Sequence, residues 1–272
     1  MELIVFDLDG TLLNGASKIS AYTKETLRLL SERNIAYTVA TGRTLHSAQE
    51  ILAGHGFELP HVYSNGVIIW NPEMASLSLE NVLVPEEVQH VLSAALDQGV
   101  TPFVSTVQNE EHFVFHSPVR HDVEQRLLQN FYERPTATVL PMDELPDDAQ
   151  ITNISMLGDE VSLENIRSRI GSESHLIVYS GPAIEGNGLK WMDVHHCDAS
   201  KGGAINVLKE RFGFTTVVCF GDSENDLSMF AMADECYAPD NAKPDIKAVA
   251  TAVIGHHDND GVARFLRERF SL

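Results

Sequence analysis

A short apolar run that breaks off in acid constrains this chain more than any other feature. LIVFDLDGTLL, residues 3–13, places Asp7 and Asp9 one residue apart directly after Leu3–Phe6. An apolar run of that length bounded by Asp and Gly reads as a strand buried on both faces, as strands of a parallel sheet are. Helix and strand patterns alternate beyond it. Ala21–Asn34 carries Tyr22, Leu27, Leu29 and Leu30 at roughly helical spacing, Ala36–Ala40 is strand-like, Thr44–Leu52 is helical, and His61–Tyr63 is a third short strand. Strand, helix, strand in that order implies a right-handed crossover and a parallel sheet. The rhythm returns at the other end: helix over Lys201–Arg211, strand over Thr216–Phe220, helix over Asp226–Ala233, strand over Glu235–Ala238 and a last helix over Val262–Arg269. The expected fold class is therefore α/β with a Rossmann-like parallel sheet.

The middle breaks the rhythm. Between about Val84 and Trp191 the pattern predicts a helix (Glu86–Asp97), two strands (Pro102–Thr106, His112–Phe115) and a helix (Val119–Phe131). A loop, MDELPDDAQ (142–150), leads to a strand at Ile151–Leu157, a helix at Ser162–Ile170 and strands at His175–Tyr179 and Leu189–Val194. Helices segregated from antiparallel strands predict an α+β insert with its helices on one face of the sheet. The expected division is a core of residues 1–83 and 192–272 interrupted by an insert of 84–191.

Composition narrows the partners. The 272 residues carry a formal net charge of −20, which argues against a phosphate-backbone partner such as DNA or RNA, since those need a basic face. A small phosphorylated ligand remains compatible, because one lysine, one metal and a few amides suffice for it. No stretch approaches the 18 or so apolar residues of a membrane span. Cys197, Cys219 and Cys236 are widely spaced and odd in number, which points to reduced thiols. The N-terminus shows no signal-peptide pattern. A cytoplasmic protein, monomer or homodimer, is expected.

Four polar clusters fall at the predicted C-terminal ends of parallel strands, the edge where open α/β sheets bind ligands. They are Asp7-Leu8-Asp9-Gly10-Thr11, Thr41-Gly42-Arg43, Lys201-Gly202 at a helix start, and Gly221-Asp222-Ser223-Glu224-Asn225-Asp226. Singly, each has a plain structural reading: D-x-D-G as a turn, Thr-Gly as a cap, the lysine as solvated surface. Together they describe a hard-cation site beside a phosphate. Two carboxylates share a strand end when a divalent cation such as Mg²⁺ offsets their repulsion, and Asp222 from another strand would complete the set. One carboxylate can then attack phosphorus and the other transfer protons, with a lysine balancing the charge.

In this order, FDLDGT, ATGR, SKGGA and FGDSENDLSMF resemble the haloacid dehalogenase superfamily of phosphohydrolases, in particular its Cof-like branch. The likeness extends to SNGVII (64–69), to Asn241-Ala242 followed by Pro244, and to DGVARFL (260–266). It implies Asp7 as nucleophile forming an aspartyl-phosphate and Asp9 as general acid/base. It also implies Mg²⁺ held by Asp7, the backbone carbonyl of Leu8 or Asp9, and Asp222, with Asp226 in support. Phosphate contacts would come from Thr41, Gly42, Lys201 and Asn225, and Arg43 and Asn65 would face the cleft.

Only 31 residues separate Asp9 from Thr41, but 159 separate Thr41 from Lys201, so an inserted domain must lie in the second interval. That is the place of a C2-type cap in the resembling branch, and the insert is expected to act as a lid that excludes water and sets specificity. The implied activity is Mg²⁺-dependent hydrolysis of small phosphorylated metabolites: sugar phosphates, nucleotides or phosphorylated cofactor precursors. The alternatives are a phosphomutase of a sugar phosphate and a non-catalytic phosphate sensor. The sensor would be expected to lose Asp7, Asp9 or Lys201, and the sequence keeps all three.

His112, His116, Tyr179, Glu185 and Lys190 are polar candidates in the insert whose plain reading is surface or hairpin. The pairs His195-His196 and His256-His257 read as structural or solvated, since neighbours on a strand point to opposite faces. Asp198 is expected to cap the helix that begins near Lys201, rather than pair with the lysine.

Overall fold

The computed structural model describes residues 1–108, 111–133, 137–171, 173–183 and 188–272. The chain divides into two compact units, Met1–Glu80 with Ser200–Leu272, and Asn81–Ala199.

The first unit is built on β1 (Glu2–Phe6), β2 (Ala36–Val39), β12 (Thr216–Phe220), β13 (Glu235–Pro239) and β14 (Ala252–Ile254). They form one parallel sheet in the order β14-β13-β12-β1-β2. β1 lies between β12 and β2, pairing Val5 with Cys219 on one side and with Thr38 on the other. Side-chain alternation sorts the core into two layers. Leu3, Val5, Val217 and Cys219 pack on one face against Ala204, Ile205 and Leu208 of α6 (Lys201–Phe212), Met229 and Phe230 of α7 (Leu227–Met232), and Ile246 of α8 (Pro244–Val249). On the opposite face, Phe220 and Tyr237 meet the ring of Phe265 on α9 (Gly261–Phe270), which is tied to α1 (Ala21–Glu32) by Arg267 Nε donating to Thr26 Oγ1 at 2.8 Å.

Local chemistry sets the helix starts. Ser20 caps α1 and Thr44 caps α2 (Leu45–Leu52), each side chain accepting a backbone N–H three residues on. β3 (His61–Tyr63), β4 (Ile68–Asn71) and β5 (Ser76–Leu79) form an antiparallel extension. A bridge between Ala40 and Val62 continues it from β2. Of these three strands the sequence pattern predicts only β3.

The second unit contains α3 (Pro85–Asp97), β6 (Phe103–Gln108), β7 (Glu111–His116), α4 (Asp122–Glu133), β8 (Thr138–Pro141), β9 (Ile151–Gly158), α5 (Glu160–Ile170), β10 (Leu176–Pro182) and β11 (Lys190–His196). Its strands form a six-stranded sheet in the order β10-β11-β9-β6-β7-β8. All the pairings are antiparallel except β7 with β8. Val104, Phe115, Ile154, Met156, Met192 and Val194 face α3 and α5.

Two expectations change here. The helices are not all on one face: α4 packs Leu128 against Phe103 and Val114, which alternate with Val104 and Phe115 and so lie on the opposite side. The boundary expected between 191 and 192 falls after Ala199, because β11 pairs along its length with β10 and through Val194 with β9. Among the described residues, no helix is long and apolar enough to cross a membrane.

Candidate active site

The site residues proposed from sequence all belong to the first unit, and they gather at the C-terminal ends of β1, β2 and β12. After β1 the chain makes a wide turn. Leu12 N–H reaches the Asp7 carbonyl at 3.3 Å and Leu13 N–H the Leu8 carbonyl at 2.9 Å, each spanning five residues. Gly10 sits in it at φ +76°, and a Cβ there would lie 2.6 Å from Asp222 Oδ2. Only glycine allows both that conformation and that approach. Thr11 Oγ1 donates to Asp222 Oδ1 at 3.3 Å, locking the two carboxylate-bearing loops together.

At the centre is Lys201, fully buried at the first position of α6. Its Nζ donates at 2.6 Å to Asp7 Oδ1 and at 2.6 Å to Asp226 Oδ1. A lysine at a helix N-terminus opposes the helix dipole, and the two carboxylates supply the compensating charge. Burial works against the ammonium, yet Asp226 and Asp7 hold it above the ordinary lysine value. Burial pushes the Asp7 carboxyl well above the usual range; Lys201 opposes this, while Asp226 and Asp222 add repulsion. Burial also pushes Asp222 up to about 6, with Asp226 adding repulsion and Lys201 opposing it.

The carboxylates divide by how fully they are occupied. Both oxygens of Asp226 are engaged: Oδ1 by Lys201, and Oδ2 by the N–H groups of Asp222 at 2.8 Å and Ser223 at 3.0 Å. Its geometry is that of a brace for the lysine and for the Gly221–Asp226 loop, whereas the sequence pattern ranks it with the metal ligands. Asp7 Oδ2 carries no hydrogen bond among the described residues, and Asp222 keeps only the long bond from Thr11. Carboxylate atoms of Asp7, Asp222 and Asp226 lie within 4.8 Å of one another. Three carboxylates so close together, with one lysine to balance them, are the donor set a hard divalent cation fits. Asp7 and Asp222 would hold Mg²⁺.

The remaining residues form a rim. Arg43 grips Asp9 through a fork, Nε to Oδ2 and Nη2 to Oδ1, each at 2.6 Å. Thr41 is buried; its N–H donates to Val62 O at 2.9 Å and its Oγ1 accepts from Arg43 N–H at 3.1 Å. Asn65 stands in the left-handed region at φ 56°, its N–H on the Thr41 carbonyl and its Oδ1 accepting from Asn225 Nδ2 at 2.9 Å. Gly42 lies against this pair: a Cβ there would stand 3.1 Å from Asn65 Oδ1 and 3.5 Å from Asn225 Nδ2. The sequence candidates are thus linked by direct contacts or shared loops.

The cap of α6 is Ser200, whose Oγ accepts from Gly203 N–H at 3.1 Å, and not Asp198. Asp198 instead closes a local turn, its N–H on His196 Nδ1 at 3.2 Å. Asn241 and His257, outside the site candidates of the sequence, bond to the turn after β1: Asn241 Nδ2 to Gly10 O and His257 Nδ1 to Leu13 O, each at 2.7 Å. The family likeness reached Asn241, but the histidine carries no local signal.

A family model described as haloacid dehalogenase-like hydrolase matches residues 4–266. The chain belongs to the haloacid dehalogenase-like hydrolases. Among curated relatives, it is 26% identical over 99% of its length to 98% of the 5-amino-6-(5-phospho-D-ribitylamino)uracil phosphatase YitU of Bacillus subtilis. It is 27% identical over 97% of its length to 94% of the HMP-PP phosphatase of Escherichia fergusonii. The fold is shared with a haloacid dehalogenase-like hydrolase from B. subtilis, with a TM-score of 0.79 at 22% identity over 98% of this chain and 99% of that one. A Bacteroides thetaiotaomicron member superposes with a TM-score of 0.78 at 24% identity, covering 99% of each chain. With this family, and with full-length relatives named as phosphatases, the chain is a phosphatase.

In the second unit, Lys190 pairs with Glu160 at 2.6 Å and His116 Nδ1 meets Ser117 O at 2.8 Å. Tyr179 packs its ring on His195, His112 is buried, and Glu185 lies outside the described residues.

Proposed function

We propose that this phosphatase hydrolyses small phosphorylated metabolites, with Asp7 as nucleophile and Mg²⁺ as its cofactor. The observation that carries the reading is the asymmetry of Asp7: one oxygen is held by a buried lysine, and the other, beside Asp222, has no hydrogen bond among the described residues. An oriented carboxylate whose charge is already compensated is what attack on phosphorus needs. Mg²⁺, when bound, neutralises phosphoryl oxygens and the crowded carboxylates.

The residues then divide the work. Asp7 attacks phosphorus and the ester oxygen departs, taking a proton from Asp9. Water next attacks the phosphoaspartate, passing a proton to Asp9 and returning Asp7 as a carboxylate with release of phosphate. Arg43 aims the Asp9 carboxylate through its two-point grip. Lys201 offsets charge on the transferring group, and Asn225, Thr41 and the Gly42 amide line its other side. Asp226 keeps the lysine in place.

The named activities of the full-length relatives favour hydrolysis over transfer within one sugar. One of those names specifies a phosphorylated ribityl chain on a uracil ring. We assign this chain to the same class, phosphomonoesters of small cofactor precursors and sugars, with the inserted unit choosing the organic group. Phosphate release from a panel of such esters, with Mg²⁺ and with EDTA, tests this. Turnover of a subset, abolished by EDTA, is expected; no turnover of any ester, or turnover indifferent to EDTA, contradicts it.

A further inference from the structure

The two loops that carry Asp7 and Asp222 are joined from outside by one short segment, Asn241–Lys243. Asn241 Nδ2 donates to the Gly10 carbonyl at 2.7 Å, inside the turn beyond Asp7. Two residues on, Lys243 N–H donates to the Asp222 carbonyl at 3.1 Å. The segment is itself fixed, because Asn241 Oδ1 accepts from His257 N–H at 3.1 Å and Ala242 N–H donates to Pro239 O at 2.9 Å.

His257 extends the hold. Its Nδ1–H donates to the Leu13 carbonyl at 2.7 Å, and its neighbour Asp258 accepts from Gly15 N–H at 2.6 Å. Three backbone groups of the catalytic turn, at Gly10, Leu13 and Gly15, are thus tied to side chains beyond residue 240. The turn needs this. Its five-residue closures leave the Gly10 carbonyl without a partner in the turn, and Gly10 sits where any drift changes the gap to Asp222.

We propose that Asn241 is a positioning residue: with Lys243 N–H, it sets the spacing between the Asp7 turn and the Asp222 loop, and so the geometry of the cation site. The inference rests on the cation-dependent reading above. It assigns Asn241 no contact with substrate. Its effect passes through the Gly10 carbonyl to the carboxylates on either side.

The test compares wild type with Asn241→Ala, using Mn²⁺ as an observable divalent probe. Mn²⁺ affinity is measured by electron paramagnetic resonance on protein without substrate, alongside kcat and KM for a generic phosphomonoester and the cation-free melting temperature. The expected result is Mn²⁺ affinity weakened about fivefold or more and kcat lowered about tenfold, as a small misplacement near the chemistry does. KM and the cation-free melting point should stay near wild type. Unchanged Mn²⁺ affinity in a folded variant overturns the proposal, and so does a drop in melting temperature with kcat and affinity intact.

If Asn241→Ala fails to fold, Asn241→Asp asks the same question, because it keeps an acceptor for His257 N–H and removes only the amide donor to the Gly10 carbonyl. Weakened Mn²⁺ binding despite the added negative charge supports the strap; wild-type or tighter binding refutes it. If wild type itself binds no Mn²⁺ and releases no phosphate, the cation-dependent reading fails, and this result is distinct from failure of the strap.

Discussion

Each unit buries carboxylates, and they are satisfied in opposite ways. In the inserted unit Glu124 is almost wholly enclosed, and its two oxygens accept the N–H groups of Thr101 at 3.3 Å, Arg120 at 2.7 Å and His121 at 3.1 Å. It closes the start of α4 and has nothing left to offer. In the core unit Asp7 is also buried, but one of its oxygens is held by a lysine and the other has no partner among the described residues. Asp226, a few ångströms away, resembles Glu124 in being fully spent. Burial alone therefore does not mark a reactive group. What marks it is a buried charge whose bonding is left incomplete next to others like it.

Lys201→Met strikes hardest at this contrast. It leaves Asp7 and Asp226 buried without their cation, so a loss of about 3–5 kcal/mol of stability is expected together with loss of turnover. Denaturant unfolding and phosphate release measure the two. Retained activity would remove Lys201 from the phosphate site.

Arg43→Ala comes next. Asp9 and Arg43 are partly exposed, so little change in stability is expected. Proton transfer loses its oriented carboxylate, and kcat should fall about tenfold or more with KM nearly constant. A rise in KM alone would place Arg43 on the substrate instead.

Proton competition sharpens the account of the cation. Between the unfolded value of 3.8 and about 6, the cation-free fold binds more protons at Asp222 than the unfolded chain does. That group therefore makes the cation-free fold less stable as pH rises through the window. Mg²⁺ favours the ionised forms of Asp222 and of Asp7, whose carboxyl burial also raises, so its gain in melting temperature should be clearly larger at about pH 8 than at about pH 5. Scanning calorimetry with and without Mg²⁺ reads this, and an equal gain at both ends of that range would exclude Asp222 as a ligand.

The smallest effect on activity belongs to the inserted unit. Glu124→Gln should cost about 1–3 kcal/mol by stranding a buried N–H, and leave kcat unchanged within error. A fall in kcat at full folding would break the distinction between spent and unspent carboxylates.

Much of the site is legible in the sequence because the motifs sit where short apolar strands end, and strand–helix–strand alternation implies a parallel sheet with one ligand-binding edge. Asp7, Asp9, Thr41, Lys201 and Asp222 fall at one sheet edge before any contact is known. The pattern does not separate Asp226 from Asp222, because both lie in one loop and only the reach of Lys201 from another helix distinguishes them. Asp198 and Ser200 both suit a helix cap, and the observed start of α6 decides for Ser200. The β4–β5 extension escapes prediction because Ser76–Leu79 (SLSL), though it alternates, is only four residues long and little buried. The face that receives α4 is not legible either, because a helical pattern says which of its own sides is apolar, not which side of a sheet it covers.

The central claim is that Asp7 attacks phosphorus, and acid-quenched rapid mixing with mass spectrometry of the Asp7 peptide tests it most directly. With Mg²⁺ and a hydrolysed ester, the peptide should gain the mass of one phosphoryl group within the first turnover, and Asp7→Asn should show neither the adduct nor turnover. Rapid turnover by a folded Asp7→Asn variant would contradict the account.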